Sequence, residues 1–294
     1  MPLVPNSPKI YILPNLFTAG NLLFGFFAIL FIFQQVPIDP DSRWAKVIES
    51  EADHFWAAII CILVAGFLDL LDGRVARIRG QESPFGREFD SLADVVSFGI
   101  APALLLMKLV LGSFALVGLL IACLYLVCGA MRLARFNVIA SDDEGGEESA
   151  EFIGLPIPAA AVVISSLTMF IIWLNGKDLE LGGWRYVMPP LVVLTSLLMI
   201  SGVRYPSFKN INIRTKRSIP WLIIFLVILL VTIALYEIMP AIISTSYLLY
   251  GLVRPWVSKR LRREIEEGPE DGEDLEPLDE DLENDEKPPA SADS

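Results

Sequence analysis

Histidine is almost missing from this chain and cysteine is scarce: one His and three Cys in 294 residues. His54 stands alone at the edge of an apolar run, so histidine-based catalysis or a zinc site is not expected. Cys61, Cys123 and Cys128 all lie inside apolar runs, with neither metal-ligand spacing nor an even-numbered disulfide framework. They read as small packing residues. Basic residues are nearly absent from the C-terminal end. Residues 264–294 hold 15 of the 35 acidic side chains and a single base, Lys287. The formal charge of -12 therefore belongs to that tail, and the rest of the chain carries 22 basic against 20 acidic residues. The tail has too little apolar surface to fold and is expected to be disordered from about residue 264. No nucleic-acid partner is expected.

What the chain has in abundance is apolar sequence: 54% hydrophobic residues and a mean hydropathy of +0.55. A bilayer-spanning helix needs about 20 mostly apolar residues. Eight such segments are expected, near 14–35, 55–78, 87–111, 113–136, 156–175, 186–203, 219–237 and 240–254. The fold class is thus all-α, a polytopic integral membrane protein with about eight transmembrane helices. It has a short lead-in (1–13), a membrane domain (14–254) and a basic-then-acidic tail (255–294). Pro14 suits a helix start, Pro189 and Pro190 threaten a kink in the sixth segment, and Met239-Pro240 leaves the last two segments as a tight hairpin or one broken helix. Residues 140–153 read as an acidic loop. No cleavable leader is expected, because the first run is too long and weakly basic at its start.

Lys and Arg placement sets the orientation. With the N-terminus cytoplasmic, 17 basic residues fall on the cytoplasmic side and five (Arg43, Lys46, Lys108, Lys177, Arg185) on the other. Both termini and the segment 72–88 are then expected inside.

That segment belongs to a run beginning at residue 69, DLLDGRVARIRGQESPFGREFDSLAD. Asp69 and Asp72 lie three apart at the end of one apolar run; Asp90 and Asp94 lie four apart at the start of the next. Each pair shares a helix face, and the short loop between the helices brings the two faces together. Four carboxylates at a membrane edge are costly unless cations neutralise them. Magnesium or manganese fits oxygen ligands of this kind, and two ions can stabilise the attacking and leaving oxygens of a displacement at phosphorus. Gly73 and Gly86 permit close approach, and Arg77 is placed to pair with a phosphate. Taken singly, each aspartate is equally explained as a cap or surface ion-pair member, and the arginines as a positive-inside anchor.

The run resembles the signature of the CDP-alcohol phosphatidyltransferase family, D-x2-D-G-x2-A-R-x8-G-x3-D-x3-D. It matches at Asp69, Asp72, Gly73, Ala76, Arg77, Gly86, Asp90 and Asp94 without departure in type or spacing. The resemblance implies a helical bundle of that family's kind and a homodimer. It implies that Asp69, Asp72 and Asp90 bind metal, and that Asp94 binds metal and deprotonates the acceptor alcohol. Gly73, Ala76, Arg77, Ser83, Gly86, Asn15 and Thr18 would contact the CDP-lipid. For Thr18, and for Asn21 on the same helix face, ordinary interhelical hydrogen bonding is an equal reading.

The stretches LPNLFTAGN (13–21), DSLADVVSFGIAPA (90–103), MRLARFN (131–137), FIGLPIPAAA (152–161) and VRYPSFK (203–209) are similar to the bacterial and archaeal members of the family that make phosphatidylserine. The implied substrates are CDP-diacylglycerol and L-serine, with release of CMP. Serine's carboxylate asks for a cationic pocket, for which Arg132, Arg135, Asn137, Arg204 and Lys209 are candidates, with plain membrane anchoring as the alternative for each. Rival readings are another acceptor (glycerol 3-phosphate, inositol phosphate or choline), a prenyl transferase, and a non-enzymatic membrane protein with a cation site.

Overall fold

The computed structural model describes residues 11–37, 47–48, 50–79, 83–142, 152–177, 184–205 and 218–254. The lead-in as far as residue 10, the tail from 255 and Lys209 lie outside the described residues, as do the side chains of Ala76, Arg77 and Arg204. The first helix, α1 (Ile12–Ile32), buries Pro14, Thr18, Asn21, Gly25, Ala28 and Ile32. These positions repeat every three or four residues, one stripe of a helix, and the stripe is small or polar as interhelical seams in membranes require. Along it lie α2 (Glu51–Arg79), α3 (Pro84–Asp94), a π-helical turn (Val95–Ile100) and α4 (Ala101–Leu109).

Helix α2 begins four residues before the expected start. The cause is a reciprocal cap: Ser50 N donates to Asp53 Oδ2 (2.8 Å), and Asp53 N donates to Ser50 Oγ (3.2 Å). Helix α3 opens on Ser83, whose Oγ accepts the Gly86 N–H at 3.0 Å, followed by Pro84 in the first turn, where a missing N–H is harmless.

The expected continuous helix 87–111 is instead three pieces, α3, the π turn and α4. Pro102 explains the interruption. It has no N–H to offer the carbonyl of Phe98, four residues back. The hydroxyl of Tyr125, fully buried on α5 (Ala115–Asp142), donates to that carbonyl at 2.9 Å. A short 3₁₀ turn (Leu111–Phe114) joins α4 to α5.

Helix α6 (Ile157–Gly176) is enclosed on nearly all sides. Its lead-in forms a two-residue strand, β1 (Phe152–Ile153), paired antiparallel with β2 (Arg204–Tyr205) just beyond α7 (Trp184–Ile200). The expected loop 140–153 therefore ends in a strand, and α5 reaches into its first residues. Gly154 sits at φ +80°, where a Cβ would meet Met199 O at 2.6 Å, so only glycine fits this clasp. Helix α7 runs unbroken through Pro189 and Pro190. The last two helices, α8 (Ser218–Ala234) and α9 (Met239–Val253), are joined by a four-residue turn, and Ser244 of α9 shares a 2.6 Å hydroxyl bond with Ser166 of α6.

Counting α3 to α4 as one segment, the described residues form eight helical segments, and five are long and apolar enough to cross a membrane: Ile12–Ile32, Glu51–Val75, Pro84–Leu109, Leu111–Ile139 and Ile157–Gly176. The helices α7 and α9 are shorter apolar helices. At the end of the bundle away from Asp69 to Asp94, aromatic rings meet in pairs: Phe31 with His54, Trp56 with Tyr236, and Phe114 with Tyr186, while Lys108 lies over Phe33. Such a girdle suits a membrane–water boundary.

Candidate metal and phosphoryl-transfer centre

The helix faces predicted to converge do so. Ligand oxygens of Asp69, Asp72 and Asp90 all lie within 4.8 Å of one another. Among the described residues no basic side chain pairs with these three carboxylates, and Asp90 Oδ1 is buried without a hydrogen-bond partner. Hard oxygen donors this close, one of them unsatisfied, fit a divalent cation. Asp94 stands outside that group. It is 6% exposed and reaches towards α1.

Helix α1 supports both aspartate pairs. Thr18 Oγ1 donates to Asp72 Oδ2 at 2.9 Å, and Asn21 Nδ2 donates to Asp94 Oδ1 at 3.1 Å. Ser97, in the π turn, donates its hydroxyl to the backbone carbonyl of Asn21 at 2.9 Å. Gly25 makes this approach possible. A Cβ there would collide with Ser97 Oγ and stand 2.8 Å from Ser97 Cα.

The positions expected to hold the CDP-lipid gather at the same end. Gly73 adjoins Asp72 on α2, and Ala76 and Arg77 follow on that helix. Ser83 caps α3. A Cβ on Gly86 would lie 3.2 Å from Ser83 Oγ and 3.3 Å from Asn15 Oδ1, so Asn15, Ser83 and Gly86 meet. The Nδ2 of Asn15 is buried with no partner among the described residues.

The candidate serine pocket divides. Arg132, on α5, is half-buried, and among the described residues its Nε has no partner. Arg135 is exposed. Asn137 is held by α3: its Nδ2 donates to Ser91 Oγ at 2.9 Å, with Glu88 Oε2 at 3.5 Å. Arg204 lies on β2. Sequence reasoning named neither Ser91 nor Ser97 nor Tyr125. Only Pro102 signalled the π turn, and only the Ser50–Asp53 spacing signalled the cap on α2.

The sequence profile described as CDP-alcohol phosphatidyltransferase matches residues 11–203. A CDP-diacylglycerol–serine O-phosphatidyltransferase of Helicobacter pylori (strain J99) is 33% identical over 260 residues, covering 86% of this chain and 94% of that protein. One of the same name from Methanocaldococcus jannaschii is 36% identical over 193 residues, covering 66% and 81%. An archaetidylserine synthase of Methanothermobacter thermautotrophicus is 37% identical over 180 residues, covering 60% and 70%. Profile, signature and converging carboxylates agree: this multi-pass membrane protein belongs to the CDP-alcohol phosphatidyltransferase family.

Proposed function

We propose that the chain is a phosphatidylserine synthase, transferring the phosphatidyl group of CDP-diacylglycerol to the hydroxyl of L-serine. The serine Oγ–phosphorus bond forms, the bond from that phosphorus to the bridging pyrophosphate oxygen breaks, and CMP leaves with that oxygen. The relatives covering most of the chain are named for serine transfer, and the archaetidylserine synthase shares serine in its name while its lipid differs. The observation that carries the chemistry is the cluster of Asp69, Asp72 and Asp90, with no cation of the chain's own among the described residues, beside Asp94.

Asp69, Asp72 and Asp90, with Asp94 by resemblance, would hold magnesium or manganese, two ions per site. Such ions supply neutralisation of the pyrophosphate charge and a lowered pKa for a nearby hydroxyl. The chain's own groups do the rest. Asp94 takes the serine hydroxyl proton as the oxygen attacks. Arg77 and the Asn15–Ser83–Gly86 corner receive the CDP part. Arg132, the half-buried pocket candidate whose Nε has no partner among the described residues, receives the serine carboxylate. The acyl chains remain in the bilayer, the site opens to the cytoplasm, and the protein is a homodimer.

The test is a product assay with purified protein, CDP-diacylglycerol and labelled serine. Expected are CMP and labelled lipid with magnesium or manganese present, and neither after chelation. Product with glycerol 3-phosphate, inositol phosphate or choline, and none with serine, would replace the acceptor and keep the family. No product from any alcohol would overturn the enzymatic reading.

A further inference from the structure

Asn21 has no role in the signature, yet it is fully buried at the centre of the site. Its amide touches the lone aspartate that stands outside the close carboxylate group. We propose that Asn21, braced by Ser97, is a positioning residue that occupies one oxygen of Asp94 and leaves the other free to take the acceptor's proton. This rests on the reading of Asp94 as the base.

Two observations support the assignment. The amide has one orientation compatible with an ionised Asp94: turned over, its carbonyl oxygen would face a carboxylate oxygen. Among the described residues Asn21 Oδ1 meets no donor and the side chain bonds to Asp94 alone, so an interhelical clamp working through both ends of the amide is not what is seen. The backbone beneath the amide is also fixed. Ser97 lies one turn beyond Asp94 and donates to the Asn21 carbonyl, at the level where Gly25 brings α1 against the π turn. The carboxylate and its orienting amide are thereby tied to one another twice, once through side chains and once through Ser97. A base held in this way keeps one oxygen directed at the substrate instead of rotating between partners.

The Asn21→Leu variant conserves shape and removes the donor. Its expected serine-dependent kcat is lower by about 10- to 100-fold, the range for losing a group that orients a reacting ligand. KM for serine and for CDP-diacylglycerol, and the thermal unfolding midpoint in detergent, stay within about twofold and a few degrees of the parent. Asp94→Glu displaces the carboxylate from the amide, so Asn21→Leu added to it lowers kcat by much less than it does alone; a merely structural role makes the two effects multiply. Ser97→Ala, a gentler change, gives a smaller kcat loss at constant KM and decides the matter should Asn21→Leu not fold. An unchanged kcat in a folded Asn21→Leu or Ser97→Ala protein overturns the proposal, as does a rise in KM for CDP-diacylglycerol alone, which makes Asn21 a donor-lipid contact. If the parent protein itself makes no serine-dependent product, the functional reading has failed, and that result is read before any variant.

Discussion

Thr18 and Arg132 show how single side chains divide the work around the carboxylates. Thr18 gives its hydroxyl to Asp72 Oδ2, which fixes that carboxylate beside Asp69 and Asp90. Replacing Thr18 by Val keeps the shape and removes the donor. Activity is expected to fall by about 10- to 100-fold, with more manganese needed for half-maximal rate. A manganese titration of the purified variant checks this, and a superimposable curve refutes it. Arg132 is different, since its Nε has no partner among the described residues. Arg132→Gln is expected to raise the serine KM by about 10- to 100-fold, the worth of a hydrogen bond to a charged group, while KM for CDP-diacylglycerol stays put. Steady-state kinetics with each substrate varied separates the two. The four aspartates were legible in the sequence because helical spacing puts each pair on one face. Their partners were not. Thr18 and Asn21 visibly share a face of α1, but which carboxylate each meets depends on residues 54 and 73 positions away, a matter of packing between helices.

At the scale of the element, the third span is where sequence and structure part. Hydropathy sees one apolar run from 87 to 111, because α and π turns bury the same side chains and differ only in backbone pairing. The legible sign was Pro102, which withdraws the N–H due to Phe98, and the answer to it, Tyr125, is 23 residues further on. The turn matters because it follows directly on Asp94 and contains Ser97. Tyr125→Phe leaves the Phe98 carbonyl buried without its donor, at a cost of about 1–3 kcal/mol. Thermal unfolding of the detergent-solubilised variant should show a lowered midpoint, and an unchanged midpoint would mean that the carbonyl finds another partner. The β1–β2 clasp was equally invisible. Two residues on each side carry no strand periodicity, and the pairing joins positions about fifty apart.

For the whole molecule, the physical question is which way the bundle faces. Aspartates lie at one end and the aromatic pairs with Lys108 at the other. The count of 17 basic residues against five predicts that the aspartate end faces the cytoplasm. The chemistry asks for the same arrangement, because serine and CMP are water-soluble and must enter and leave from the aqueous side that the carboxylates face. Native cysteines leave a quiet background for a labelling test. Cys61 and Cys128 are buried, and Cys123 projects from α5 within an apolar span. Ser113 on the 3₁₀ turn and Glu88 on α3 are both exposed and mark opposite ends of the third span. In intact cells a membrane-impermeant maleimide should label Ser113→Cys and spare Glu88→Cys, which should react only once the membrane is opened. The reverse pattern would turn the bundle over and put the aspartates outside. Serine transfer by the purified protein would survive that result, but the charge rule would have failed for this chain, and the cytoplasm would no longer be where serine enters.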